Sequence, residues 1–167
     1  MSAKLLFAAL LFAAQPALAD DCDAVKSSVI KLISRPYHDT YSVTIGGRVA
    51  MSGQHVSIGG KRYGQCDGCT NPGWRLMNWD QDKDAAKVRD AVATQPMICR
   101  KSGVEAVDGD LADIFDTDTL EGGKHYQNRV WVSRASGLRL KVSSTFDHGE
   151  TALRTFQYRD IHAPDIW

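Results

Sequence analysis

The chain has 167 residues, of which 20 are lysine or arginine and 20 are aspartate or glutamate, so its formal net charge at pH 7 is zero. Proteins that bind nucleic acids usually carry a basic excess or a basic stripe, and this composition shows no excess of either sign. The length is that of about one domain and is sufficient to bury a hydrophobic core.

The first 19 residues have the composition of a secretory signal peptide. Lys4 supplies a short positive region, an apolar run extends from Leu5 to Ala14, and small residues stand at Ala17 and Ala19. The apolar run has about half of the roughly 20 residues that a membrane span requires. We therefore expect cleavage after Ala19, which gives a periplasmic protein with a single domain over residues 20–167 and no transmembrane segment in the mature chain.

The segment after the expected cleavage site predicts a helix and then a meander of strands. Over residues 20–35, acids crowd the start, where the helix dipole favours them, and apolar residues recur at helical spacing. After Pro36 the pattern changes to alternation, and "TIGGRV" and "SIGGKR" each place Gly-Gly where a hairpin turn needs positive φ. Strands are predicted at 37–46, 48–58, 61–66 and 74–79.

Two of the four cysteines lie close together in "QCDGCTNPGW". In an exported protein an even number of cysteines indicates disulfides, here among Cys22, Cys66, Cys69 and Cys99. The sequence does not choose among the three pairings, although Cys66–Cys69 with Cys22–Cys99 is favoured because the long loop so closed constrains the unfolded chain most. A zinc site usually brings two close pairs of ligands, and a redox pair usually sits at a helix start, so both are less favoured interpretations.

A second helix is predicted in "DQDKDAAKVRDAVA", with Ala85, Val88 and Val92 on one side. About ten strands and two or three short helices predict an α+β fold that is mainly antiparallel β. A sheet of this size generally curls or closes to bury its apolar face, so we expect a curved sheet or half-open barrel with the helices in its concave side. Such a cavity is suited to an apolar ligand. The later strands are predicted at 97–101, 104–107, 111–116, 126–134, 138–146 and 151–159.

The last third of the chain carries four short motifs: the Trp-containing strand "RVWVSR", then "SGLRLKVSSTF", the hairpin "DHGE" and the final "TFQYRDIHAPDIW". Together with "HVSIGGKRYG" and "GWRL" in the middle, they resemble the pattern of the periplasmic lipoprotein-carrier superfamily, the LolA-like and LppX-like proteins. Arg139 stands where the pattern of that family has a proline. The resemblance implies a half-open barrel with a helical lid that holds acyl chains, and therefore a carrier or sensor of lipid or of another apolar molecule.

The sequence predicts binding rather than catalysis, because no nucleophile elbow, metalloprotease helix, phosphate loop or dinucleotide fingerprint occurs in it. We expect no cofactor, and the scattered histidines and irregular acid spacing indicate no metal site. The expected partner is an apolar small molecule, a lipid or a lipidated protein. The side chains expected to line the cavity alternate along the predicted strands: Val43, Ile45, Val56, Ile58, Leu138, Leu140 and Val142.

Two alternatives from other functional classes also fit the sequence. A protein-binding module or inhibitor would present a loop tied by a disulfide between Cys66 and Cys69. A thiol–disulfide oxidoreductase would use the same pair of cysteines and would require that the pKa of one thiol be lowered.

Overall fold

The structure is a computed structural model that describes residues 21–78, 81–121, 124–146 and 148–166. It has two helices and nine strands in these ranges, and the expected fold, a curved and mainly antiparallel sheet with helices on one side, is confirmed. Neither of the two helices has the length and the apolar composition needed to cross a bilayer. The elements are α1 (Asp21–Ile33), β1 (Tyr37–Ile45), β2 (Arg48–Ile58), β3 (Lys61–Asp67), β4 (Arg75–Leu76), α2 (Gln81–Thr94), β5 (Met97–Val107), β6 (Asp110–Glu121), β7 (Lys124–Ser133), β8 (Arg139–Phe146) and β9 (Thr151–Gln157).

The described strands form one antiparallel sheet in the order β4-β3-β2-β1-β9-β8-β7-β6-β5. The two Gly-Gly pairs turn the first two hairpins as predicted, with φ of 58° and 77° at Gly46 and Gly47, and 58° and 75° at Gly59 and Gly60. Glycine adopts this left-handed region without the steric cost that a side chain would add. The first strand pairs with the last, and this pair lies at the centre of the sheet.

Helix α1 packs across β5, β7 and β8 and buries the main apolar cluster of the sheet. Val25 of α1 contacts Phe115, Val130 and Val132 there, as the alternation in the Trp-containing strand suggests. Cross-strand partners point to the same side of a sheet. The face that α1 covers is called the inner face, and the opposite one the outer face.

The disulfide Cys22–Cys99 ties α1 to strand β5, which confirms the favoured pairing for these two cysteines. The structure also pairs Cys66 with Cys69, at the end of β3 and in the loop that follows. Helix α2 packs against α1, and Ala85 on α2 is buried. Because β4 and β5 are at opposite edges of the sheet, the segment that joins them, which includes α2, has to cross the sheet.

Strand boundaries differ from the predictions where bulges interrupt the alternation. The structure has one strand over 97–107 with a register shift between Lys101 and Gly103, where the sequence predicts two strands. Only residues 75–76 of the predicted strand 74–79 form β4, and Trp79 lies outside the described residues, as does the predicted signal peptide. Nine strands are therefore described where about ten are predicted.

A bulge also separates side chains that the alternation of β8 places on one face. The register of β7 and β8 shifts between Trp131 and Val132, so that β8 has one residue more than its partner at this point. Leu140 consequently packs with Trp131 in a second cluster, whereas Val142 packs against the cluster that contains Val25. Leu138 precedes the strand and is buried.

Asp113 on β6 accepts hydrogen bonds from two cations, and these ion pairs allow a test of how much charged contacts contribute to the stability of the sheet. Its carboxylate lies 2.8 Å from Nζ of Lys101 and 2.6 Å from Nε of Arg134. Burial raises the pKa of Asp113, but the hydrogen bonds from Lys101 and Arg134 outweigh burial, so that the pKa is lowered from its ordinary value. A carboxylate with a lowered folded-state pKa stabilises the fold above its unfolded pKa, and this stabilisation is lost as the pH falls through the folded value.

We therefore expect that Asp113→Asn lowers the free energy of unfolding by about 1 kcal/mol at pH 7. The difference from the unmodified protein should shrink as the pH falls below about 4, the ordinary pKa of an aspartate, towards the lower pKa of Asp113 in the folded protein. Urea unfolding at pH 7 and at pH 3 measures both values. Asp108→Asn in the exposed β5–β6 turn is the control and should change neither. A difference for Asp113→Asn that persists unchanged at pH 3 would contradict the charge-based explanation.

Candidate functional site

Three polar side chains converge on Asp39 at the inner face, and the side chain of Asp39 is 0% exposed. Its Oδ2 atom lies 3.1 Å from Nδ1 of His55 and 3.2 Å from Nε of Arg154, and its Oδ1 atom lies 3.9 Å from Nη2 of Arg62. We call these four residues the ionic cluster. They come from β1, β2, β3 and β9, which are neighbours in the sheet although β9 is at the other end of the chain.

The pairing of strands explains why these side chains meet on the inner face. Arg154 is the cross-strand partner of Val142, which packs under α1, and it is also the partner of Tyr41 on β1. Asp39 lies two residues before Tyr41 and therefore points to the same side. His55 is the partner of Asp39 on β2, so that the imidazole and the carboxylate are adjacent.

The ionic cluster is open to solvent on one side. The exposed fraction of the side chain rises from 12% for His55 and 15% for Arg62 to 43% for Arg154. The ring of Tyr41 stacks on His55 with centroids 4.9 Å apart, and the guanidinium carbon of Arg154 lies 6.0 Å from the centre of the Tyr41 ring. Gly53 makes this stacking possible, because a Cβ atom there would lie 2.7 Å from the Tyr41 hydroxyl.

One buried carboxylate in this cluster faces two guanidinium groups and an imidazole. A buried charge is costly unless it is paired and hydrogen-bonded, and the contacts at Oδ2 of Asp39 meet that requirement. Oδ1 accepts no hydrogen bond from the residues that the structure describes. With a neutral His55, the formal charge of the cluster is +1, from two arginines and one aspartate.

A third guanidinium, that of Arg139, lies between α1 and the sheet near the ionic cluster. Its Nε donates a hydrogen bond of 3.4 Å to Oγ of the buried Ser28 on α1. Within the described parts of the chain, no carboxylate forms an ion pair with Arg139. Burial lowers the pKa of Arg139 to about 10, and the charge of Arg154 contributes in the same direction. Arg139 is therefore still a cation at neutral pH.

Apolar side chains continue the inner face from Tyr41 to the tip of the β1–β2 hairpin. Val43 and Met51 are cross-strand partners, and Ile45 follows Val43 towards the turn. We call these three residues the apolar strip. Val43 is half-buried, whereas Met51 is 46% exposed and Ile45 is 50% exposed. The uncovered end of the inner face is therefore apolar, next to a cationic region.

The structure brings together only part of the predicted cavity lining. Val43 and Ile45 belong to the apolar strip. Val56 pairs with His38 rather than with Asp39, so Val56 and Ile58 lie on the outer face. The remaining three predicted residues contribute to the core: Leu138, Leu140 and Val142. Contact of any of the seven with a ligand stays a prediction.

Sequence reasoning missed the ionic cluster, the Arg139 guanidinium and a groove on the outer face. The groove has a volume of about 500 Å³ and contains pairs of polar groups that already satisfy one another. Arg129 Nε donates to Asp116 at 2.7 Å, and this hydrogen bond lowers the pKa of Asp116. No group of three potential metal ligands occurs among the described residues. The groove is lined by Ile98, Asp116, Thr117, Asp118, Gln127, Asn128, Arg129, Trp131, Ser143 and Thr145.

The unclosed, curved antiparallel sheet with helices on its inner face is also found in solved structures, and the resemblance to LppX-like proteins noted in the sequence is confirmed at the level of the fold. The chain is similar to the crystal structure of the lipoprotein LppX from Mycobacterium tuberculosis, with a TM-score of 0.56 and 9% identity over 86% of this chain and 98% of that chain. It is also similar to MucB, with a TM-score of 0.56 and 18% identity over 90% of this chain and 63% of that chain.

The complex of MucA and MucB from Pseudomonas aeruginosa gives a TM-score of 0.55 and 16% identity over 88% of this chain and 60% of that chain. The present chain thus spans less than two thirds of the MucB structures that it matches. No protein-family model matches the sequence, and no curated protein sequence does so. At these identities the comparisons show the fold alone.

Proposed function

We propose that this protein is a non-enzymatic periplasmic binding protein or carrier for an apolar ligand, which is a lipid, an acyl chain or a lipidated protein. In this proposal the signal peptide over residues 1–19 is removed and residues 20–167 act as a single domain. The observation that carries the proposal is the apolar strip, where large apolar side chains are exposed together at the uncovered end of the inner face.

The exposure of the apolar strip has an energetic consequence. Each Å² of apolar surface that a ligand removes from water contributes about 25 cal/mol to binding. Contiguous exposed apolar surface commonly marks a binding site. The strip also begins next to Tyr41 and the ionic cluster, so that a ligand lying along it has one end in apolar surroundings and the other end beside charged groups.

Met51→Glu tests this proposal because it places a charge in the middle of the apolar strip. We expect the affinity for the methyl ester of cis-parinaric acid, a fluorescent and uncharged acyl probe, to fall about tenfold, because the ester chain would have to desolvate the new carboxylate. Fluorescence titration measures the affinity. Native mass spectrometry of the protein purified from the periplasm shows whether an apolar molecule is retained.

The matched control for Met51→Glu is Ile98→Glu, which changes an exposed apolar residue on the outer face to the same carboxylate. Ile98→Glu should leave the affinity for the ester unchanged. Equal weakening by both variants would contradict the assignment of binding to the inner face. Absence of any ester binding by the unmodified protein would remove the carrier proposal.

A protein-binding module is the second candidate function. MucB, which shares this fold, has been crystallised in complex with MucA, so one protein of this fold binds a protein partner. In the present chain the disulfide Cys66–Cys69 closes a short loop at the end of β3. Loss of partner capture by Cys66→Ser with Cys69→Ser, in a protein that remains folded, would favour this candidate.

The oxidoreductase alternative has less structural support. Cys66 is near the end of a strand and Cys69 is in the loop after it, whereas a helix start is the common setting that lowers a thiol pKa. Reduction of insulin by the purified protein would be the observation in its favour.

A further inference from the structure

The part of the inner face around Asp39 carries more positive than negative charge. Arg62, Arg139 and Arg154 are all on this face, and Asp39 is the carboxylate among them. Asp39 is close to Arg154, with 3.2 Å between Oδ2 and Nε. The charges of Asp39 and Arg154 cancel each other, so this pair does not balance the charge of Arg139.

The environment of Arg139 makes this charge costly. The Arg139 side chain is half-buried, and the hydrogen bond that its guanidinium donates within the described residues goes to a neutral hydroxyl, that of Ser28. A partly desolvated cation is stabilised most by an anion that accepts its hydrogen bonds. The pKa of Arg139, lowered to about 10 by burial, is consistent with the lack of such a partner.

The neighbouring tyrosines do not supply the missing negative charge. Tyr158 donates its hydroxyl hydrogen to the carbonyl oxygen of Arg139, and burial raises the pKa of Tyr158. Burial likewise raises the pKa of Tyr37, which lies near Arg62 and Arg154. Both phenols are therefore uncharged at neutral pH.

The register of the sheet relates Arg139 to the apolar strip. Val142 on β8 and Tyr41 on β1 are both cross-strand partners of Arg154 on β9. Because β8 and β1 are both antiparallel to β9, they run in the same direction. Arg139 precedes Val142 on β8, whereas the apolar strip follows Tyr41 on β1, so Arg139 and the strip lie on opposite sides of the row formed by Val142, Arg154 and Tyr41. From Tyr41 to Ile45 the strand extends by about 13 Å, at about 3.3 Å per residue. A linear amphiphile with its charged end at Arg139 and Arg154 would therefore place its chain over the apolar strip.

We propose that Arg139 and Arg154 bind the anionic head group of the ligand, a carboxylate or a phosphate, while its hydrocarbon chain covers the apolar strip. This inference rests on the proposed function, since it names the ligand class of the same inner face. Guanidinium groups suit the role because their planar donors match carboxylate and phosphate oxygens. Arg154 retains its contact with Asp39 and has exposed donors for the ligand.

The test compares cis-parinaric acid with its methyl ester, which has the same chain without the charge. We expect the unmodified protein to bind the acid about tenfold more tightly than the ester at pH 7.5. Arg139→Met should lower this ratio to about one, and Arg139→Lys should restore part of it because the charge returns. Arg129→Gln removes the same charge from the outer face and should leave the ratio near ten. Circular dichroism and thermal unfolding check that each variant is folded.

Competition experiments distinguish the sources of the anion. Displacement of cis-parinaric acid by dodecyl phosphate, but not by an equal concentration of inorganic phosphate, supports an amphiphile as the ligand. Displacement by both supports the anion site and indicates that it also accepts free phosphate.

Equal affinity of the unmodified protein for acid and ester would overturn the head-group inference and leave the carrier proposal standing. An unchanged ratio in Arg139→Met would have the same effect. If neither probe binds, the carrier proposal itself fails, and the head-group inference fails with it.

Discussion

Replacing both Cys22 and Cys99 with alanine should lower the free energy of unfolding by about 4 kcal/mol. The two cysteines are separated by 77 positions, and the disulfide between them restricts a long segment of the unfolded chain. The loss of conformational entropy grows with the logarithm of the loop length, so this cross-link is worth more than a local one. Alanine is the suitable replacement because Cys22 is buried and a serine hydroxyl there would require a new hydrogen bond.

Cys66→Ala with Cys69→Ala is the matched control. It also removes one disulfide, but that disulfide joins cysteines with a sequence separation of only 3. The same relation gives a loss of about 2 kcal/mol for this pair. Urea unfolding of both double variants under non-reducing conditions measures the two losses. A loss from the Cys22 and Cys99 variant that is equal to or smaller than the loss from the control would contradict the loop-length argument.

The disulfide Cys22–Cys99 also holds the start of α1 against the inner face. It links Cys22, near the start of the helix, to strand β5, while Val25 anchors the helix through the apolar cluster. At the other end of the helix, Lys31 donates a hydrogen bond to the carbonyl oxygen of Ser136 at 2.8 Å. Hydrogen exchange in the Cys22 and Cys99 variant should therefore increase first in the initial turns of α1.

Features that depend on neighbouring residues were predictable from the sequence. The turns at Gly46–Gly47 and Gly59–Gly60 are examples, because positive φ is a local requirement that glycine meets. Helix α1 is another, since acids at its start and Val25 at helical spacing are both visible in the sequence. The pairing of β1 with β9 is different, because it joins distant segments, and alternation in either strand alone does not specify the partner.

The candidate site shows the same division between local and distant information. Alternation correctly assigns Val43 and Ile45 to one side of β1, but it does not show that Val56 points to the other face of the sheet. Asp39 lies at an inward position between Tyr37 and Tyr41, and a carboxylate between two aromatic residues was the available signal for the ionic cluster.

The position of Arg139 depends on a bulge that alternation does not predict. Arg139 is nevertheless visible in the sequence as a departure from the resembling family, whose pattern has a proline at this point. A proline there would bring no charge, whereas the arginine brings a half-buried cation to the inner face.

Asp39→Asn should lower the free energy of unfolding by about 3 kcal/mol. It removes the negative charge that faces Arg62 and Arg154, and it leaves a buried, neutral amide group beside these two cations. Asp118→Asn is the matched control: Asp118 also contacts a histidine, His125, at 3.2 Å, but both side chains are exposed. An exposed pair of this kind contributes less than about 1 kcal/mol. Chemical denaturation at pH 7 measures both variants, and a loss for Asp39→Asn as small as that of the control would contradict a structural role for the buried carboxylate.

The double variant Asp39→Asn with Arg154→Met separates the pair from the rest of the ionic cluster. Arg154 without Asp39 is a poorly compensated cation, so removing it from the Asp39→Asn protein should cost less than removing it from the unmodified protein. We expect a coupling energy of about 1–2 kcal/mol between the two positions. The same carboxylate competes with a ligand anion for the donors of Arg154, so Asp39→Asn should raise the ratio of acid to ester affinity for parinaric acid while it lowers stability. A stability loss with an unchanged ratio of acid to ester affinity would show that Arg154 pairs with Asp39 but does not bind the ligand anion.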